Sequence, residues 1–266
     1  MWGTLGIFAK FLYGFNLSSF TIVFYRVFFA FLLLLPYNLL KGGLTVSWSR
    51  LRFYAVYGFS SIFLFYTLYF YTVKISSISL AVLLLYTAPL YSTLMGYYFF
   101  REPITQKKAV ALGMVIIGVL LVVDLKGSNV TPLAVVLGLL TGVTYALYGI
   151  LAKFAVRRER PEEALFYTLT FGMIFLIPFT DFKVPSATLP YLFALAFFPT
   201  FLGYIFYNNA LKEIEVSKAS IIATIEPVVA LILAFLIFHE ALTPRQLIGA
   251  ALIIGGSLII HATEKD

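Results

Sequence analysis

Apolar residues run along this chain in blocks of roughly twenty, separated by short polar stretches. Measured against the ~20 residues that cross a bilayer as α-helix, the blocks predict about ten helices. Their cores lie near 1–15, 19–40, 53–73, 78–100 and 105–124, then 131–155, 163–180, 188–211, 217–238 and 243–261. The connections leave no room for a soluble domain or a long linker. Thr243-Pro244-Arg245-Gln246 supplies an N-cap, a proline at the first helical position and a capping-box glutamine, so the last helix starts there. Thr105 is the equivalent cap for the block at 105–124.

The pattern also repeats. The passage 86–124 recurs near the C-terminus at an offset of 138, where Pro89 falls on Pro227, Glu102 on Glu240, Thr105 on Thr243 and Gly118 on Gly256. Upstream, FYRVFFAFLLLLP (Phe24 to Pro36) matches FYTLTFGMIFLIP (Phe166 to Pro178), and GIFAKF (Gly6 to Phe11) matches GILAKF (Gly149 to Phe154). The chain therefore divides into copies at 1–126 and 127–266, each of five helices. Five is odd, so the second copy enters the membrane upside down. The expected fold is an all-α polytopic membrane protein with about ten transmembrane helices as an inverted five-plus-five repeat. Internal repeats with polar groups near their middle are the architecture of secondary transporters. The first block is short against its partner, so a start upstream of Met1 is expected. It is not a signal peptide, lacking a basic leading region and a small-residue cleavage site.

Composition fits lipid as the solvent: 61% of residues are hydrophobic and 12% charged, with a mean hydropathy of +0.97. There is no cysteine, which excludes a disulfide scaffold and thiolate metal sites. The net charge of +7 invites nucleic acid as a partner, but its distribution argues for a membrane instead. Thirteen of the 19 Lys and Arg fall on the side of the N-terminus. Lys74, Lys126, Lys183 and Arg245 fall on the other, and Lys10 and Arg26 within spans. The positive-inside rule then places both termini in the cytoplasm, with the chain integral to the plasma membrane.

The phrases WGTLGIFAK, YRVFFAFLLLL, YTAPLYSTLMGYYFFREPITQKKAVALGMVIIGVLL and ATIEPVVALILAFLIFHEALTPRQLIGAALIIGGSLII resemble the EamA-type branch of the drug/metabolite transporter superfamily. The resemblance covers essentially the whole chain. It implies ten helices, an inverted repeat and a central cavity. Helices one to four and six to nine would surround substrate, with five and ten at the periphery. Members export or import amino acids, other metabolites or drugs. The two copies differ at one telling point: Ala88 stands opposite Glu226, so this acidic group belongs to the second copy alone.

Glu226 lies eight residues past Lys218, about 12 Å deep at ~1.5 Å per residue. An unpaired carboxylate there costs at least ~2.5 kcal/mol, so it must be protonated, paired or facing water. It reads as a proton-coupling group or a partner for a substrate ammonium, against a structural reading as a helix–helix hydrogen bond. Pro89 and Pro227 each delete a helical hydrogen bond, freeing the carbonyls of Leu85 and Ala223, and read as helix breaks in a shared cavity wall. Arg26 lies about 10 Å below the outer surface, opposite Thr168 of the other copy. It is a candidate to bind a substrate carboxylate, or to pair with Glu226 or Asp124. Asn208 and Tyr204, with Asn209 and Tyr207 nearby, offer polar contacts. Tyr66, Tyr86, Thr87, Tyr145 and Tyr148 join them because the resemblance assigns their helices to the cavity. With 18 tyrosines in the chain, packing is the competing explanation for each. Lys10 reads as an end-of-helix anchor. Arg101-Glu102 and His239-Glu240 read as helix-end polar groups, and Arg157-Arg158-Glu159-Arg160 as an orientation signal. Gly113 and Gly118, with Ala251, Gly255 and Gly256, read as close packing between the fifth and tenth helices.

The two histidines lie far apart, and no zinc-type spacing, Gly-x-Ser-x-Gly elbow or phosphate-cradling loop is present. The expectation is a transporter and not an enzyme, with no cofactor and no metal. It would export amino acids or related metabolites by alternating access, proton-coupled through Glu226. Its partners would be a small-molecule metabolite, membrane lipid, protons and, for a dimer, a second copy; nucleic acid is not among them. The alternatives are an uncoupled facilitator, an intramembrane lipid-modifying enzyme and a membrane scaffold.

Overall fold

A computed structural model describes residues 2–262, apart from Gly6, Ile7, Ala9, Lys10, Tyr13, Glu240 and the side chain of Phe238. The regular elements among the described residues are all helical. They are α1 (Ser19–Leu40), α2 (Trp48–Ile75), α3 (Ile78–Phe100), α4 (Gln106–Val122), α5 (Pro132–Val156), α6 (Pro161–Phe179), α7 (Ser186–Glu213), α8 (Val216–Ile237) and α9 (Pro244–Ala262). Eight of these are long and apolar enough to cross a membrane; α4, with 17 residues, is shorter. Six residues of the block expected at 1–15, Lys10 among them, lie outside the described residues. Before α1, Trp2–Thr4 forms one 3₁₀ turn. The chain is thus a multi-pass, all-helical membrane protein.

Helix starts follow local chemistry. Thr105 Oγ1 accepts from the N–H of Lys108 at 3.2 Å. Thr243 and Gln246 close a reciprocal capping box, with Thr243 N–H donating to Gln246 Oε1 at 2.9 Å and Gln246 N–H to Thr243 Oγ1 at 3.3 Å. Four helices are irregular, in pairs 138 residues apart. Helices α2 and α7 are 28 residues each and carry π-helical turns at Phe59–Leu64 and Ala196–Leu202. Helix α3 breaks at Tyr86–Thr87 and α8 at Thr224–Ile225, with Pro89 and Pro227 opening the segments that follow. Those segments end on left-handed residues, Arg101 (φ 60°) and His239 (φ 55°).

The chain forms two compact units, and each draws one segment from each half of the sequence. The first comprises 1–66 and 151–213. In it α1 packs against α6 and α7, and the first half of α2 packs on α6. The α2–α6 crossing is close because glycines meet: a Cβ on Gly58 would lie 2.6 Å from the N of Gly172. Polar side chains tie the loop between α1 and α2 to the start of α6. Buried Glu163 accepts from the N–H of Thr45 and, at 3.0 Å, of Val46. Arg160 donates to the carbonyls of Lys41 and Gly43, beside a turn with positive φ at Gly42 and Gly43. Arg50 grips Glu159 through two 2.8 Å bonds. The basic run at 157–160 is therefore part of the fold as well as a charge signal.

The second unit comprises 67–150 and 214–266. Helices α4 and α9 lie along one another, and Gly118 and Gly249 are the point of closest approach. Gly256 meets Ala111 and Val115, and Gly255 meets Met114. The expected small-residue packing holds with two corrections. Gly113 has nothing within 4 Å of its missing Cβ, and Ala251 is exposed; Gly249 fills the role instead. Glu102 is buried and caps α8, accepting from the N–H of Val216 at 2.7 Å, the N–H of Ser217 at 3.1 Å and Ser217 Oγ at 2.6 Å. Gly96 leaves room for it, since a Cβ there would lie 2.5 Å from Glu102 Oε2. Lys108 pairs with Glu215 beside this cap. Glu240, the counterpart of Glu102, lies outside the described residues.

Two stability outcomes follow. Gly118→Val or Gly249→Val should destabilise the protein by about 1–3 kcal/mol through overpacking. Gly113→Val should stay within about 0.5 kcal/mol; thermal midpoints of purified protein in detergent would separate the two classes. Glu102→Gln turns an amide N–H₂ toward donors that need an acceptor, and should cost about 1–3 kcal/mol. Exposed Glu213→Gln, measured the same way, should leave the midpoint in place.

Candidate substrate site

In the first unit the site is built around a proline in α7. Pro199 has no N–H, so the carbonyl of Leu195 four residues earlier loses its helical partner. Thr200 replaces it, its hydroxyl donating to Leu195 O at 3.0 Å. The same Thr200 oxygen accepts from Arg26 Nε at 2.5 Å. Arg26 Nη1 donates to Tyr66 Oη at 2.5 Å, and the guanidinium carbon lies 5.5 Å from the centre of the Tyr66 ring. Arg26 is 4% exposed. Among the described residues of this unit no carboxylate pairs with it. The carbonyl of Pro199 takes a hydrogen bond from the indole N–H of Trp2 at 2.7 Å. The Trp2 ring rests against Tyr204 and Tyr207, with centroids 5.4 and 5.2 Å away. Gly203 makes this possible, because a Cβ there would lie 2.8 Å from the indole nitrogen.

In the second unit Glu226 opens the second segment of α8, directly after the break at Thr224–Ile225. It is half-buried. The buried Tyr86 phenol hydrogen-bonds to Glu226, and Tyr145 and Tyr69 lie within electrostatic reach of Tyr86. The breaks themselves are patched by threonines. Thr87 Oγ1 donates to Leu84 O at 2.5 Å, and Thr224 Oγ1 donates to Ile221 O. Thr87 also touches α5, where a Cβ on Gly142 would lie 2.6 Å from its hydroxyl.

The candidates from the sequence therefore fall into two groups. Arg26 and Tyr66 meet directly, Tyr204 packs on Trp2, and Asn208 is buried further along α7. Tyr86, Glu226 and Tyr145 form the second group, with Thr87 at the adjoining break and Tyr148 buried on α5. Asn209 is turned back on its own helix, donating to Ile205 O at 2.8 Å, and Asp124 accepts from the N–H of Lys126. Sequence reasoning missed Thr200, Pro199, Trp2 and Tyr69. Pro199 carried the available signal, since a proline inside an apolar block marks a backbone break as surely as Pro89 does.

Comparison with known proteins agrees with this layout. The model of the EamA-like transporter family matches residues 1–124 and again 132–262. A transporter of Archaeoglobus fulgidus is 31% identical over 97% of this chain and 91% of its own length. The S-adenosylmethionine uptake transporter of Rickettsia conorii is 26% identical over 97% of this chain and 88% of its own. A probable amino-acid metabolite efflux pump of Escherichia coli is 26% identical over 90% and 81%. Transporters of small molecules thus match along nearly the whole chain, which points away from an enzyme. With its family model matched twice and its relatives matched end to end, this chain belongs to the EamA-like transporter family.

Proposed function

We propose that this protein is a secondary transporter that exports amino acids or related small organic metabolites by alternating access, coupled to protons through Glu226. The observation that carries the reading is a titratable carboxylate at the interruption of an apolar span, in hydrogen-bond contact with Tyr86. Ionisable groups at such depth are expensive and mark substrate or ion pathways. Arg26, Asn208 and Tyr66, Tyr86, Thr87, Tyr145, Tyr148 and Tyr204 would orient substrate. Pro89 and Pro227 would give the breaks at which the cavity wall bends.

The architecture proposed with it is ten helices in two inverted copies, 1–126 and 127–266, in the plasma membrane with both termini cytoplasmic. Support comes from the double family match, from the π-turns of α2 and α7, and from the left-handed ends at Arg101 and His239. An uncoupled facilitator is the second reading. Its support is that Tyr86 occupies Glu226, as a static brace would.

Reconstituted in proteoliposomes, wild-type protein should show pH-dependent flux, whereas Glu226→Gln should show flux independent of pH. Unaltered pH dependence in that variant would leave the facilitator reading in its place. Orientation is open to labelling, because the chain has no cysteine of its own. Lys126→Cys, at an exposed site, should react with an impermeant maleimide on intact cells; exposed Lys212→Cys should react only after permeabilisation.

A further inference from the structure

Arg26 is a fixed positive charge that its own unit does not neutralise. A guanidinium stays protonated in proteins, and one at membrane depth costs about 2.5–3.5 kcal/mol even on the lowest scales. Its partners, Thr200 and Tyr66, are neutral hydroxyls. They solvate the charge without cancelling it. The repeat scaffold does not require a cation here either. Thr168, the matching residue on α6, is fully buried and satisfied within its own helix, donating to Ala164 O at 2.8 Å.

The contacts also aim the group. A guanidinium has five N–H bonds, and Thr200 takes the one on Nε while Tyr66 takes one on Nη1. The remaining three sit on the two terminal nitrogens, and a carboxylate that takes one from each is gripped through two parallel hydrogen bonds. Thr200 is itself held by Leu195 O, and the Tyr66 ring lies beside the guanidinium, so the fork is oriented before any ligand arrives. A phosphate dianion would call for a second cation, whereas here the neighbours are hydroxyls.

We propose that Arg26, held by Thr200 and Tyr66, binds the carboxylate of the transported molecule, so that the substrates of this protein are organic carboxylates. The inference rests on the transport reading and names its substrate class. Tyr66 and Thr200 are positioning residues, and Arg26 makes the contact.

The experiment uses purified full-length protein in lipid nanodiscs. Its probes are the L-amino acids and simple monocarboxylates, each beside its own methyl ester or amide, with binding read by thermal shift and titration. At least one free acid should stabilise the wild type while its ester does not. Arg26→Gln should weaken that acid by about tenfold or more, the loss expected for a hydrogen bond to a charged group. Arg26→Lys, which keeps the charge and loses the fork, should also weaken it. Thr200→Val should weaken it several-fold, and this variant with Arg26→Lys carries the test if Arg26→Gln does not fold. Equal stabilisation by acid and ester, wild-type affinity in Arg26→Lys, or no response to any acid would each overturn the proposal. Counterflow of the same panel, extended to nucleosides and cationic amines, separates the two readings. Uncharged or cationic compounds carried equally by wild type and Arg26→Gln would end the carboxylate inference and leave transport standing. Flux of no compound at all would end the transport reading instead.

Discussion

Within a bilayer's hydrocarbon there is no water to receive a backbone carbonyl that has lost its helical partner. Where a helix is interrupted, the bilayer therefore favours a further donor from the protein itself, and several of the described interruptions carry a side-chain hydroxyl. At Pro199 the hydroxyl of Thr200 supplies a donor to Leu195 O. At the breaks in α3 and α8 and at the π-turn of α2, the hydroxyls of Thr87, Thr224 and Ser60 add a second donor to carbonyls that already take a backbone N–H. The indole of Trp2 does the same for the Pro199 carbonyl. Once a hydroxyl has been placed for that purpose, its oxygen is free to accept a further donor. Thr200 accepts Arg26, and a repair of the backbone becomes one wall of a cation's site.

The two stretches that lie 138 residues apart agree in backbone detail and disagree in charge. Both have π-turns, both break before a proline, and both end on a left-handed residue. Yet Arg26 faces Thr168 across the alignment, and Glu226 faces Ala88. Shared irregularities are what the two stretches have in common. A charge present in one copy alone is outside that common pattern, and it is there that chemistry specific to this protein is to be sought. Relatives named for uptake and for efflux are each 26% identical to this chain, so overall similarity does not fix a direction.

Polar anchoring outside the spans uses a different logic. Glu102 is a buried carboxylate that receives the N–H groups of Val216 and Ser217 at the start of α8, where unpaired donors accumulate, and buried Glu163 receives those of Thr45 and Val46 in the loop before α2. Each joins segments more than a hundred residues apart in sequence. These contacts and the glycine seam between α4 and α9 join segments from both halves of the chain within each unit.

The sequence by itself determined the class of protein, most helix bounds, the caps at Thr105 and Thr243, and the family. The class, the helix bounds and the caps follow from local composition or from periodicity, which neighbouring residues settle among themselves, and the family follows from the resemblance of whole phrases. It also singled out Arg26 and Glu226, since charges in apolar blocks stand out, whereas Tyr66 entered through the resemblance that assigns its helix to the cavity. What only the tertiary structure decided is which groups meet. Thr200 is one of many threonines until Pro199 opens a π-turn and turns its hydroxyl toward a guanidinium 174 residues away. Gly113 and Gly249 look alike in sequence, and only the rotation of α4 and α9 about their axes puts one in open space and the other at the contact. Glu102 reads as a helix-end polar group until a distant helix start arrives with three donors to be satisfied. Partners distant along the chain are chosen by packing geometry, and packing geometry is not a local property.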